Sequence, residues 1–160
     1  MAAHEPGEAT WVRELAAARV ETARFELAHG NAPRAAELAK LASDAAAASL
    51  KRAPADRNLL LLAAQTEVLL GRIAAAQKDA ARSRKIWIAA RDLIAAPSRL
   101  GRDPNFLAAY ASSLLLLDDN AAGPIVKQLE SIGYSTPEFA SLTVGKHIAY
   151  RPNTAACAAE

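Results

Sequence analysis

The chain of 160 residues has one cysteine, Cys157. No internal disulfide can form, so the fold rests on its own packing, and a single thiol fits a reducing, cytoplasmic location. Aromatic residues make up only 5% of the chain, which leaves Leu, Ile and Ala to build the core. No stretch alternates apolar and polar residues as a half-buried strand does. The apolar run from Leu59 to Ala64 is far shorter than the roughly 20 residues that span a bilayer, so membrane insertion is not expected. Neither sign of charge dominates: the net charge is +2, with 22% charged residues. That balance gives no footprint for nucleic acid. Met1 to Gly7 lacks the basic-then-apolar order of a signal peptide.

Chemistry-bearing motifs are missing too. His4, His29 and His147 are far apart, and no His-x-x-x-His or Cys-x-x-Cys spacing occurs, so no metal ligands are expected. There is no Gly-x-Ser-x-Gly and no phosphate loop. The expectation is a non-enzyme with no catalytic residues and no cofactor. Asp118-Asp119 reads as a solvated helix cap rather than an acid–base pair, because adjacent residues on a turn point apart. Nothing basic flanks Cys157, so it reads as an incidental thiol.

What the chain has is alanine, about a quarter of all residues, with little Gly or Pro. Ala loses no side-chain entropy in a helix, and Ala faces let helix axes approach closely. The length suits one domain. Residues 1–7 read as a flexible leader broken at Pro6-Gly7, residues 8–148 as the helical domain, and residues 149–160 as a disordered tail.

Seven helices are expected. The first runs from about Glu8 to Ala28, with Trp11, Leu15, Ala18, Thr22 and Phe25 at 4-3-4-3 spacing on one face. Gly30 ends it, and Pro33 opens a second helix to Arg52 that buries Ala35, Leu38, Ala42 and Ala45. Asp56 caps a third, closed by Gly71. A long fourth, Arg72 to Ala96, carries Ile73, Ala76, Ala80, Ser83, Trp87, Ala90 and Ile94 and is ended by Pro97 and Gly101. Asp103-Pro104 starts a fifth with Phe106, Tyr110, Ser113 and Leu117 inward. A sixth, Asn120 to Ile132, turns Ile125, Leu129 and Ile132 inward, and Thr136-Pro137 opens a short seventh to about Lys146. Trp11, Trp87, Tyr110 and Tyr134 are read as inter-helix packing.

A helix-pair pattern recurs. Gly30 precedes Ala35, and Gly71 precedes Ala76, by the same interval, and Leu117 with Ala122 is an altered third copy. Recurrence at this period marks a solenoid. The step resembles the tetratricopeptide repeat, in which a small residue on the second helix is followed by another seven positions later. Ala35/Ala42 and Ala76/Ser83 fill those positions, and Ala122 fills the first in the third unit. The segment from Arg102-Asp103-Pro104 through Leu114 to Leu117, Ala122 to Val126 and Ile132 to Phe139 looks like the C-terminal repeats of bacterial multidomain signalling proteins, which follow a serine/threonine kinase or a winged-helix regulator. The resemblance implies an all-α, tetratricopeptide-like α-hairpin solenoid of three helix pairs plus a C-terminal capping helix. Ala35 and Ala76 would then lie where helix backbones come close.

In such an array the first helix of each pair lines a concave groove. Ala17, Val20, Arg24 and Leu27 would line it from the first unit, and Asn58, Leu61, Gln65 and Val68 from the second. The groove is mainly apolar and suits an amphipathic helix or apolar peptide rather than a terminal carboxylate. The expected function is therefore protein–protein interaction, as a scaffold or docking module in a bacterial signalling assembly. The alternative is a small-ligand sensor using the inter-helix groove. A homodimer is a further outcome, since Leu59 to Leu62 cannot all face one core. Lys78, Arg82 and Lys85 share a face at 4-3 spacing and form a secondary basic surface suited to an acidic peptide or phosphate. Asp79 and Asp92 interrupt it, which favours a solvated face.

Overall fold

A computed structural model describes the backbone of residues 6–146 and the side chains of residues 10–96 and 101–146. The expected tail, Cys157, His4 and His147 lie outside the described residues. Seven helices follow one another: α1 Pro6–Ala28, α2 Ala32–Arg52, α3 Arg57–Ala76, α4 Ala80–Leu100, α5 Pro104–Leu116, α6 Ala122–Ser131 and α7 Pro137–Gly145. There is no strand among the described residues. The fold is all-α. The chain divides after Ala90, within α4, into two compact units.

Most helix starts follow from their caps. Asn31 accepts from the Arg34 amide, and Pro33 sits in the first turn of α2. Asp56 Oδ1 accepts from the amides of Asn58 and Leu59 at 2.9 and 3.1 Å. Asp103 caps α5 with Pro104 at its first position, and Thr136 caps α7 with Pro137 following. These side chains satisfy amides that the helix itself leaves without partners. Pro6 is the first residue of α1, so Pro6-Gly7 does not break the helix; a proline there forfeits no helical bond.

The α3–α4 boundary differs from expectation. Gly71 does not close α3, which continues to Ala76, and Ile73 and Ala76 belong to α3 rather than α4. The turn is made by Lys78 in the left-handed region, at φ 64°. The Lys78 amide donates to Ala75 O and the Asp79 amide to Ala74 O, both at 2.9 Å, and Asp79 then caps α4 by accepting from the Arg82 amide at 3.0 Å. The same pair of bonds closes α1 at Gly30-Asn31, α5 at Asp118-Asp119 and α6 at Gly133-Tyr134. This is the Schellman closure, in which a left-handed residue returns two amides to the last carbonyls. At the far end, α4 runs past Pro97 to Leu100.

Lys78 pays the steric cost of a Cβ in the left-handed region, which glycine lacks. Lys78→Gly is expected to stabilise the protein by about 0.5–1 kcal/mol, and Asp79→Ala to destabilise it by about 1 kcal/mol. Urea unfolding of the two variants checks both signs.

In the first unit α1 packs on α2, α2 on α3, and α1 also meets α3. The core joins Ala16, Val20 and Ala23 of α1 to Ala35, Ala39 and Ala42 of α2 and to Leu62, Leu69 and Ile73 of α3. The buried face of α2 is all alanine: Ala35, Ala39, Ala42 and Ala46. Against so flat a face α1 turns its own small side, and Trp11, Leu15, Ala18, Thr22 and Phe25 point to solvent. The stripe expected to be core is thus the outer one. Leu38 and Ala45 are only half-buried.

In the second unit α5 packs on α6 and α7. It is buried nearly all round, Phe106, Tyr110 and Ser113 included, and Leu117 at its cap is buried too. Ala122, Val126 and Leu129 are the buried positions of α6, while Ile125 is half-buried and Ile132 exposed. The inward face is therefore set from Ala122, one residue off the expected register at Ile125. Tyr134 meets Phe139 edge-on at 6.1 Å and donates its hydroxyl to Asn105 Oδ1 at 3.3 Å.

Candidate interaction surface

The outer face of α1 carries the largest group of exposed apolar side chains among the described residues. Trp11 is 73% exposed, Phe25 61% and Leu15 52%, with Val12 beside them. Val20, Ala16 and Ala23 on the opposite side hold α1 to the core. The helix is thus apolar on two sides. The outer stripe keeps the interval of a coiled-coil seam: Trp11, Leu15, Ala18, Thr22, Phe25 and His29 fall alternately at the two seam positions of a heptad. His29 closes it, its ring 4.0 Å from that of Phe25 and its Nδ1 2.8 Å from Phe25 O. Glu14 and Glu21 lie along one edge, Val12, Arg19 and Glu26 along the other. Glu21 also pairs with Arg24 at 2.6 Å.

The residues expected to line a groove are divided. Val20 and Val68 are 2% and 6% exposed and belong to the core. Arg24, Leu27, Leu61 and Gln65 are half-buried, and Asn58 is exposed near the start of α3. Only the half-buried and exposed members remain accessible to a partner. Val68 falls in the expected groove because its register is counted from Gly71, inside α3, instead of from Lys78. Val20, counted from Gly30, is core because α1 turns this side to α2 and α3.

The basic face also loses its geometry. Lys78 lies in the α3–α4 turn and Arg82 and Lys85 on α4, so the three do not share a helix face. All three side chains are solvent-exposed. Arg82 instead borders a cleft of about 380 Å³ between α2, α3 and α4. Ala36, Leu70, Ile73 and Ala74 form its floor, and Glu37, Lys40, Asp44 and Gln77 join Arg82 at its rim. Lys40 pairs with Asp44 at 2.7 Å, and Ser43 donates to Glu67 Oε1 at 2.9 Å.

Asp118 and Asp119 are exposed in the α5–α6 turn and cap no helix with their side chains, since α6 begins after Ala121 without a side-chain cap bond. Asp119 accepts from the Ala121 amide at 2.9 Å, and Asp118 pairs with Lys146 at 2.6 Å. No group of three or more His, Cys, Asp or Glu among the described residues is placed to hold a metal ion.

Trp87 makes the inter-helix contact expected of it, and its partner is the glycine expected to end α3. Its indole lies against the α3 backbone at Gly71 and donates Nε1–H to Val68 O at 3.4 Å. Ser83 and Ala90, each one helical heptad apart on α4, are buried as Ala35 and Ala42 are on α2. Ala76, by contrast, is exposed at the end of α3.

By length and composition α3 is apolar enough to cross a membrane. More than half of its apolar window is buried inside the protein, as a core helix requires. No family model, curated protein or solved structure matches the chain.

Proposed function

We propose that the chain is a non-catalytic docking module that receives a helical segment of another protein on the outer face of α1. The observation that carries this reading is the exposure of Trp11, Leu15 and Phe25 at seam spacing on a helix already anchored through its other side. A helix face of this kind is recognised through regularly spaced apolar anchors. Water-exposed large apolar groups gathered in one patch, rather than scattered, are the usual mark of an interaction site. The tetratricopeptide-like arrangement and the regulatory setting belong to the same proposal. They rest on the four alike turns and on the likeness of residues 102–139 to signalling-protein repeats.

Photo-crosslinking tests the reading in cells that make the protein. A photo-activatable residue at Leu15 is expected to give discrete protein adducts that vanish when Phe25→Asp is added. The same residue at Lys40 is expected to give none. Adducts of equal yield from both positions, or none from Leu15, would overturn it.

A second reading has its own observation. The cleft between α2, α3 and α4 falls within the size range of small-ligand sites, and its polar rim would orient a ligand carrying both charges. A thermal-shift screen of zwitterionic metabolites tests it. A hit whose shift is lost in Arg82→Ala supports this reading, because a bound ligand stabilises the folded state by mass action.

A further inference from the structure

The geometry points to the chemistry of the helix that α1 receives: an amphipathic segment of about four turns with Lys or Arg along one edge. This inference rests on the docking reading above and adds the partner's charge. From Trp11 to Phe25 the seam is about 21 Å long, at 1.5 Å per residue. Its large anchors stand at the ends, while Ala18 and Thr22 lie between them. A partner helix can approach most closely at that small centre and needs its bulky residues there.

Edge charges choose the partner. Residues flanking an apolar seam set both partner and orientation in paired helices. One edge of the α1 seam carries Glu14 and Glu21, one heptad apart, with no basic residue between them on that edge. The other edge mixes Val12, Arg19 and Glu26. A second copy of the chain is poorly matched. Antiparallel pairing sets Glu14 against Glu21 in one seam register, and Glu21 and Arg19 each against its own counterpart in the next. Parallel pairing matches Glu14 with Arg19 but sets Glu21 against Glu26. A helix with basic residues along the facing edge answers both Glu14 and Glu21 at once.

Two synthetic three-heptad peptides test this, both with Leu at the seam positions, one with Lys and the other with Glu at the edges. Binding to the full chain is measured by fluorescence anisotropy at low and at moderate salt, and the oligomeric state by sedimentation. The Lys-edged peptide is expected to bind about five- to tenfold more tightly at low salt, from two exposed charge pairs made instead of opposed, and the preference should shrink as salt rises. Glu14→Lys with Glu21→Lys, both at exposed positions, should reverse it, with circular dichroism confirming an intact helical signal. Equal binding of both peptides, lost in Leu15→Asp with Phe25→Asp, overturns the charge inference and leaves the docking reading standing. Binding of neither peptide overturns the docking reading itself, and so does binding that the Leu15→Asp, Phe25→Asp variant retains. A dimer of the wild-type chain that Leu15→Asp dissociates makes a second copy the occupant and overturns the inference.

Discussion

Leucine in place of both Ala35 and Ala42 is expected to destabilise the first unit strongly. Each position is fully buried where α2 lies against α1 and α3, and the facing side of α1 is itself built on Ala16 and Ala23. Alanine rows on both sides let the helix axes come close and leave little room for a larger side chain. Overpacking of this kind costs about 1–3 kcal/mol per site. Two sites together cost about 2–6 kcal/mol, reaching the lower end of a small domain's stability of about 5–15 kcal/mol. The matching control is Ala76→Leu. Ala76 ends α3 in solvent, so its replacement is expected to change stability by no more than about 0.5 kcal/mol. Urea midpoints of the three proteins check the contrast. A double variant as stable as wild type would mean that α1 and α2 do not meet through alanine.

Gly71→Ala is expected to destabilise, against the ordinary preference of helices. In a helix interior exposed to water, Ala is favoured over Gly by about 1 kcal/mol. Here a Cβ on Gly71 would overlap Nε1 and Cδ1 of Trp87. The indole must swing away, losing its packing on α3 and its bond to Val68 O. Overpacking at about 1–3 kcal/mol exceeds the gain in propensity, so the net loss is expected to be about 1–2 kcal/mol. A Trp87→Ala background removes the obstacle, and there Gly71→Ala should stabilise the protein. The change of sign between backgrounds is the test, since a double-mutant cycle isolates the contact between the two residues. If Gly71→Ala stabilises both proteins, the indole does not rest on the glycine.

These two cases show what the chain conveys directly and what it conceals. Helix number and most helix starts are local properties. Asn31 with Pro33, Asp56, Asp103-Pro104 and Thr136-Pro137 each carry their own cap chemistry, and each starts a helix where its residues indicate. The end of α3 is not local. Gly71 has the composition of a terminator, but its missing side chain serves Trp87, sixteen residues later in the chain. The actual turn is at Lys78, a residue type that seldom takes the left-handed region and so leaves no signal.

The face of α1 was concealed for another reason. Two apolar stripes run along it, and size alone favours burying Trp11, Leu15 and Phe25. The deciding fact is the flatness of the α2 face, which accepts Ala16 and Ala23 and has no hollow for an indole. The same inversion of faces places Val20 in the expected groove and leaves the outer seam unread, whereas Val68 enters that groove through the end of α3. What covers that seam is a question of chemistry at its edges, where Glu14 and Glu21 are plain in the sequence once the exposed face is known.

Thermal unfolding of two variants tests most directly which side of α1 is the core. In Leu15→Asp with Phe25→Asp, two charges are added to a side that already faces water. In Ala23→Asp, one carboxylate is forced into a fully buried position without a partner. The account predicts that the first variant melts close to wild type with its helical signal intact, while the second is unfolded or strongly destabilised. A first variant that unfolds, beside an Ala23→Asp protein that melts like wild type, would contradict it.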